Sequence, residues 1–275
     1  MSGMFELDPE YLKIRDEALE VAAAVDPIAF EADDSSTLHP GIVAALRSSA
    51  LTQLMVPASH GGRFDKIDPL AICVAREALM ATCAQLDAVF ALQGLGSYAI
   101  TAAGSEAQRD EWLPQVAQVK ALAALALTEP NAGSDLRAIS TTLLERDGSL
   151  HINGEKSFIS NAGVADFYTL LAREGDGFSA VLVPAITAGL TVEASPELIA
   201  PHVLGEVTLN DVQLPAAARL GPAGSGFQPI LATLAVFRVS VAGAAVGLVA
   251  IGIQERWNSA CTYQRTHCCL PRSLR

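Results

Sequence analysis

Apolar residues recur at helical spacing through the first third of the chain. In residues 11–24 they alternate with Lys, Arg and Glu in a pattern of period near 3.6, which predicts an amphipathic helix. Residues 40–50, 69–82 and 86–103 repeat the pattern. Between them, "MVPASHGGRFD" (55–65) carries Pro57 and the pair Gly61-Gly62 and reads as a loop. Ser105 followed three residues later by Gln108 has the form of a capping box that opens a further helix toward Trp112.

The period changes near Ala121. "ALAALAL" reads as a buried strand, and "FYTLLAR", "FSAVLVP", "LTVEAS" and "EVTLNDVQL" continue as short strands. Asp147-Gly148 and Asn153-Gly154 both predict tight turns between alternating segments. No helical pattern separates these strands, which predicts an antiparallel β domain. Helical spacing returns after Gly226 in one long apolar segment. The expected fold class is therefore α+β. It comprises an N-terminal helical domain (1–120), a central antiparallel β domain (121–225) and the start of a C-terminal helical bundle (226–275).

Composition narrows the function. The 275 residues are 51% hydrophobic and 17% charged, which is a globular composition. The net charge of −12 offers no basic surface to nucleic acid. A small anion remains compatible, because backbone N–H groups can hold a phosphate. Cys73 and Cys83 read as small buried hydrophobes, and Cys261, Cys268 and Cys269 crowd the tail without zinc-site or disulfide spacing. The acidic N-terminus resembles neither a secretory nor a mitochondrial leader, so a cytoplasmic location is expected. Residues 239–253 form an apolar run of about fifteen, short of the roughly twenty of a membrane span, which predicts a buried helix.

Two stretches carry candidate chemistry. In "LTEPNAGSD", Thr128 follows a buried strand and Pro130 ends its ladder. Residues 131–134 can aim several N–H groups at an anion, with the Ser134 hydroxyl as a further donor. They can equally form a strand-exit turn that caps its own backbone. In "NGEKSFISNAG", alternation places Phe158 and Ser160 on one face, a surface for a flat ring with a polar edge or simply a half-buried strand.

Taken together, about thirty residues apart, these stretches resemble the acyl-CoA dehydrogenase family. "ALTEPNAGSD" is similar to its first signature and "NGEKSFISNAG" to the strand that follows. "LMVPASHGG", "DVQLPAAARLGPAGSGF" and "FRVSVAGAAVGLVAIGIQ" are similar to further family segments in the same order. The resemblance implies FAD as cofactor, an acyl-CoA or other acyl thioester as substrate and α,β-dehydrogenation as the reaction. It also implies an electron-accepting flavoprotein partner and a homo- or hetero-oligomer. By the same resemblance, the Leu127 N–H and Thr128 meet the flavin's pyrimidine edge, and Gly133 and Ser134 lie near its pyrophosphate. Phe158 lies against the ring system and Ser160 near its N5. Ser134 and Arg238 lie toward the substrate.

The sequence departs from the family at two places. The family's catalytic glutamate belongs to a C-terminal bundle beyond this chain, and the alternative position before Arg238 holds Phe237. No catalytic base is therefore expected, and Glu129 belongs to the signature. Composition also breaks near Trp257, where the tail "QRTHCCLPRSLR" replaces the family's Phe-Gly pair by Cys268-Cys269. This marks either a change of reading frame or a divergent ending, and hence a truncated or divergent member. Two alternatives stand beside the dehydrogenase reading: a non-catalytic subunit or remnant that binds flavin or a partner, and a flavin monooxygenase on the same fold. In either case, residues 230–253 are expected to leave a large apolar face uncovered.

Overall fold

The computed structural model describes residues 6–195 and 202–267, with side chains as far as Ile251 in the last helix. The composition break and the tail cysteines lie outside the side chains so described.

Five helices form the N-terminal layer: α1 (Pro9–Asp33), α2 (Pro40–Arg47), α3 (Pro69–Met80), α4 (Ala84–Ala103) and α5 (Glu106–Ala117). Proline opens three of them, where its missing N–H costs nothing. The capping box at α5 forms as expected: Ser105 Oγ accepts from Gln108 N, and Ser105 N donates to Gln108 Oε1. Ile14, Leu46, Leu54, Ile72, Leu79 and Phe90 are fully or almost fully buried in the core of this layer.

The second layer is an eight-stranded sheet, and it is mixed rather than purely antiparallel. Its strands are β1 (Ala123–Ala126), β2 (Thr142–Arg146), β3 (Ser149–Ser160), β4 (Phe167–Glu174), β5 (Gly177–Pro184), β6 (Leu190–Ala194), β7 (Leu204–Pro215) and β8 (Arg219–Leu220). The main order is β6-β7-β3-β2-β4-β5-β8, and β1 pairs with β4. The β1–β4 ladder is parallel, and β2 touches β4 in parallel at Thr142↔Arg173. The β2–β3 hairpin supplies the crossover between β1 and β4 that a helix often supplies. Alternating polarity reports which face is buried, not strand direction, so the pattern was silent here.

The two turn dipeptides behave differently. Asp147-Gly148 turns the β2–β3 hairpin with both residues at positive φ (51° and 76°), as a two-residue primed turn requires. Asn153-Gly154 does not turn. It lies inside β3, where the register against β7 shifts between Ile152 and Gly154. A side chain at Gly154 would meet Thr141 at 2.4 Å, so glycine serves close approach there.

Helix α6 (Phe227–His267) leaves the sheet and lies across α3 and α4. Phe227–Ile251 is long and apolar enough to cross a membrane by length and composition, longer than the sequence pattern suggested. Its inner face, however, is buried against protein. Phe237 is 1% exposed, with its ring edge-on to Tyr98. Ser240 Oγ accepts from Arg76 Nη1 at 2.9 Å, and Arg76 forks onto Asp87 of α4. This buried polar network ties α3, α4 and α6 together. The outer face exposes Leu231, Val239, Val241, Val246, Leu248, Val249 and Ile251, so the uncovered apolar surface expected from the sequence is present. Cys83 is buried as expected, whereas Cys73 is only half-buried.

Gly243 and Gly247 bring α6 onto the backbone of α3. A Cβ at Gly247 would meet the Glu77 carbonyl oxygen at 2.1 Å. Gly247→Ala gains about 1 kcal/mol of helix propensity. It must also displace a backbone carbonyl, and overpacking of this kind costs about 1–3 kcal/mol. The variant is expected to melt at a lower temperature than the parent in a thermal unfolding scan.

Candidate functional site

The two signature stretches meet at the end of β1. Thr128 O accepts from Ser157 N at 2.9 Å, so the exit of β1 is pinned to β3. Beyond it, residues 129–132 close a tight turn: Ala132 N donates to Glu129 O, and Glu129 N donates to Ala132 O. The Ala132 N–H is therefore used within the turn and is not available to an anion. Gly133 and Ser134 follow, both exposed, and a Cβ at Gly133 would meet nothing within 4 Å. The anion-holding and self-capping readings of this stretch thus divide at Ala132.

A buried ion pair holds the turn to the sheet. Lys156 is 0% exposed and Glu129 3%. Lys156 Nζ lies 2.8 Å from Glu129 Oε1 and also donates to Leu127 O (3.2 Å) and Leu171 O (2.8 Å), so all three ammonium protons have acceptors. The second carboxylate oxygen of Glu129 accepts from both Ser140 N and Ser140 Oγ, and Oε1 also accepts from Thr141 N. Burial favours the neutral acid, but the Lys156 ammonium and these N–H and O–H donors outweigh it. They hold the Glu129 carboxyl at about 2, well below its ordinary value.

Phe158 stands out on the open side of this junction. Its φ is +56°, a left-handed conformation unusual for a bulky residue, and its side chain is 56% exposed. It sits where the β3–β7 register shifts a second time, between Lys156 and Ile159; the alternation breaks at the adjacent buried pair Lys156-Ser157 and resumes through Phe158, Ile159 and Ser160. The Glu206 carboxylate accepts from Phe158 N at 3.3 Å and from Ser195 Oγ at 2.9 Å, which helps fix this conformation. Burial opposes the Glu206 charge, yet hydrogen bonds from Ser157, Ser195 and the Phe158 N–H lower its pKa. Ser160 Oγ is 2.9 Å from His202 Nε2, and burial lowers the pKa of that imidazole.

Arg238 is placed differently. It is exposed on α6, and its Nε donates to Leu234 O one turn earlier at 3.2 Å, an interaction within its own helix. Phe237, in the alternative base position, faces inward toward α4.

Sequence reasoning gave no role to Lys156, Glu206 or His202. The signal for Lys156 was its position. It shares parity along β3 with the buried Leu150 and Ile152, so a lysine there requires a buried anion.

Removing one member of the Glu129–Lys156 pair leaves an uncompensated buried charge. Lys156→Met and Glu129→Gln are each expected to lower unfolding stability by about 3–5 kcal/mol in urea titrations. Because the folded-state pKa of Glu129 is depressed, its stabilising contribution is complete above its ordinary value of 4.5. That contribution is lost as pH falls toward about 2. Glu129→Gln should flatten that part of the acid-unfolding curve.

Comparison with known proteins agrees with this geometry. The profile for the acyl-CoA dehydrogenase N-terminal domain matches residues 8–120, and that for the acyl-CoA dehydrogenase middle domain matches residues 124–212. The cyclohexane-1-carbonyl-CoA dehydrogenase of Syntrophus aciditrophicus (strain SB) is 30% identical over 255 residues, covering 88% of this chain and 65% of that protein. The structure of butyryl-CoA dehydrogenase from Megasphaera elsdenii superposes with a TM-score of 0.81 at 27% identity, covering 89% of this chain and 67% of that one. A glutaryl-CoA dehydrogenase from Mycobacterium smegmatis in complex with FADH2 gives 0.79 at 27% identity, covering 88% and 62%. This chain spans about 65% of the length of the curated relatives it matches first. With both domain profiles matched in order along most of its described length, the chain belongs to the acyl-CoA dehydrogenase family.

Proposed function

We propose that the chain binds FAD and takes part in α,β-dehydrogenation of an acyl thioester, of which acyl-CoA is the expected form. The observation that carries this reading is Phe158. A large aromatic side chain is held in a strained backbone conformation and presented to solvent beside the Thr128–Ser157 junction. Strain of this kind persists where the surroundings over-determine it, and it concentrates at functional sites.

The surrounding residues fit a flavin. The Phe158 ring offers a flat apolar face, and the hydroxyls of Thr128 and Ser160 together with the Leu127 N–H offer a polar edge. Gly133 and Ser134 lie open to an approaching pyrophosphate, with room that a larger residue at position 133 would reduce. Bound FAD supplies a two-electron acceptor, which no side chain of the chain can supply. Ser134 and Arg238 are assigned to the thioester. An electron-accepting flavoprotein and an oligomeric assembly complete the proposal.

No residue is assigned to removal of the α-proton. Glu129 is excluded on chemical grounds: it is buried, accepts four hydrogen bonds, and at a pKa of about 2 is too weak a base. Phe237 has no proton acceptor and is packed inside. A chain that holds flavin without turning over by itself is the second reading.

The purified full chain is expected to be yellow with a flavin spectrum, and Phe158→Ala is expected to weaken FAD binding about three- to tenfold, the worth of one stacking contact. Anaerobic addition of butyryl-CoA separates the readings: bleaching supports dehydrogenation, and an unbleached flavin supports the non-catalytic reading. A colourless protein that takes up no added FAD overturns both.

A further inference from the structure

A second cluster lies away from the flavin-site residues, where the loop after α2 meets α5. His60 ends a short 3-10 turn (Ala58–His60), and Glu106 and Asp110 stand one turn apart on α5. His60 is only 9% exposed, although a ring that can donate and accept is normally left nearer water or fully paired. Its Nδ1 is 2.8 Å from Ser59 Oγ. Its Nε2 makes no hydrogen bond among the described residues. It points instead between two carboxylates, 3.4 Å from Asp110 Oδ1 and 3.8 Å from Glu106 Oε1. One ligand atom from each of the three residues falls within 4.8 Å of the other two.

We propose that His60, Glu106 and Asp110 bind a divalent first-row transition cation, with zinc the best fit. The donor set is one imidazole nitrogen and two carboxylate oxygens, which suits zinc and its neighbours better than magnesium or calcium, whose preferred ligands are all oxygen. Two ligand atoms on one tetrahedral zinc lie about 3.3 Å apart, given bonds of about 2.0–2.1 Å. The two separations from His60 Nε2, 3.4 and 3.8 Å, are close to that value, and the two carboxylate oxygens, within 4.8 Å of each other, close on the ion by rotation of exposed side chains. Nδ1 can donate to Ser59 Oγ, which fixes the tautomer that leaves the Nε2 lone pair facing the cation. Arg109 Nη1 lies 3.5 Å from Glu106 Oε2 and so engages the oxygen that does not face His60. Glu106 and Asp110 are exposed, which leaves an open position for water and a path for the ion. Binding closes the turn at residues 58–60 onto α5, so the role is to brace the loop that ends in Gly61-Gly62.

The test uses the full chain, stripped with chelator and titrated with zinc chloride by calorimetry. One equivalent is expected to bind and to raise the melting temperature. His60→Ala, and separately the exposed-site double variant Glu106→Gln/Asp110→Asn, should each weaken binding more than about tenfold, while flavin content stays unchanged. The exposed carboxylates make the double variant a safe check should His60→Ala fold poorly. Cobalt in place of zinc should give a nitrogen and oxygen spectrum without a thiolate charge-transfer band. Absence of binding, binding equally strong in both variants, or a thiolate band pointing to the cysteines would overturn the proposal.

Discussion

The arrangement of the candidate flavin site depends on one interaction, the buried Glu129–Lys156 ion pair. Taking two charges out of water costs several kcal/mol each, and their attraction repays this only when every remaining donor and acceptor is satisfied. Here that condition is met, with three acceptors on the ammonium and donors from Ser140 and Thr141 on the carboxylate. An apolar pair would fill the space as well. It would not fix which part of the loop meets which part of β3. The charges do, because the Glu129 carboxylate reaches both β3 and the loop's return at Ser140. Thr128 is thereby set beside Ser157, and the open residues Gly133 and Ser134 hang from an anchored turn.

A second constraint acts on α6. Its inner face is committed to α3 and α4 through Phe237, the Arg76–Asp87–Ser240 network and the close approach at Gly243 and Gly247. Its outer face carries seven exposed aliphatic side chains between Leu231 and Ile251. The helix cannot rotate to hide them without breaking the buried polar contacts. Exposed apolar surface of this extent favours association, so the face calls for a cover. The exposed position of Arg238 on the same helix follows from the same fixed rotation.

Much of this was legible in the sequence. Among the described residues, helical spacing placed α2, α3, α4, α6 and the first part of α1, because an amphipathic stripe is a readout of burial, while α5 was placed by its capping box and α1 runs on to Asp33 past the expected end at Ala24. The capping box at Ser105 and the Asp147-Gly148 turn were local chemistry with a single structural meaning. Asn153-Gly154 carried the same turn chemistry but stays within β3, opposite an extra residue of β7, because pairing with β7 and the close approach of Thr141 outweighed the local preference. The parallel β1–β4 pairing was invisible, since polarity patterns do not encode direction. The motif residues Thr128, Gly133, Ser134 and Phe158 were legible as candidates, and their flavin roles belong to the proposal. Their supports, Lys156, Glu206 and His202, were not legible, because each acts through a partner distant in sequence or on another strand.

The central claim is that the ion pair organises the candidate cofactor site and does not merely stabilise the sheet. A double-mutant cycle read by FAD affinity tests this directly, using Glu129→Gln, Lys156→Met and the two combined in the full chain. Each single variant is predicted to lose FAD affinity, with the double variant recovering part of the loss because no buried charge is left unpaired. Single variants that bind FAD as the parent does, or losses that simply add, would contradict it.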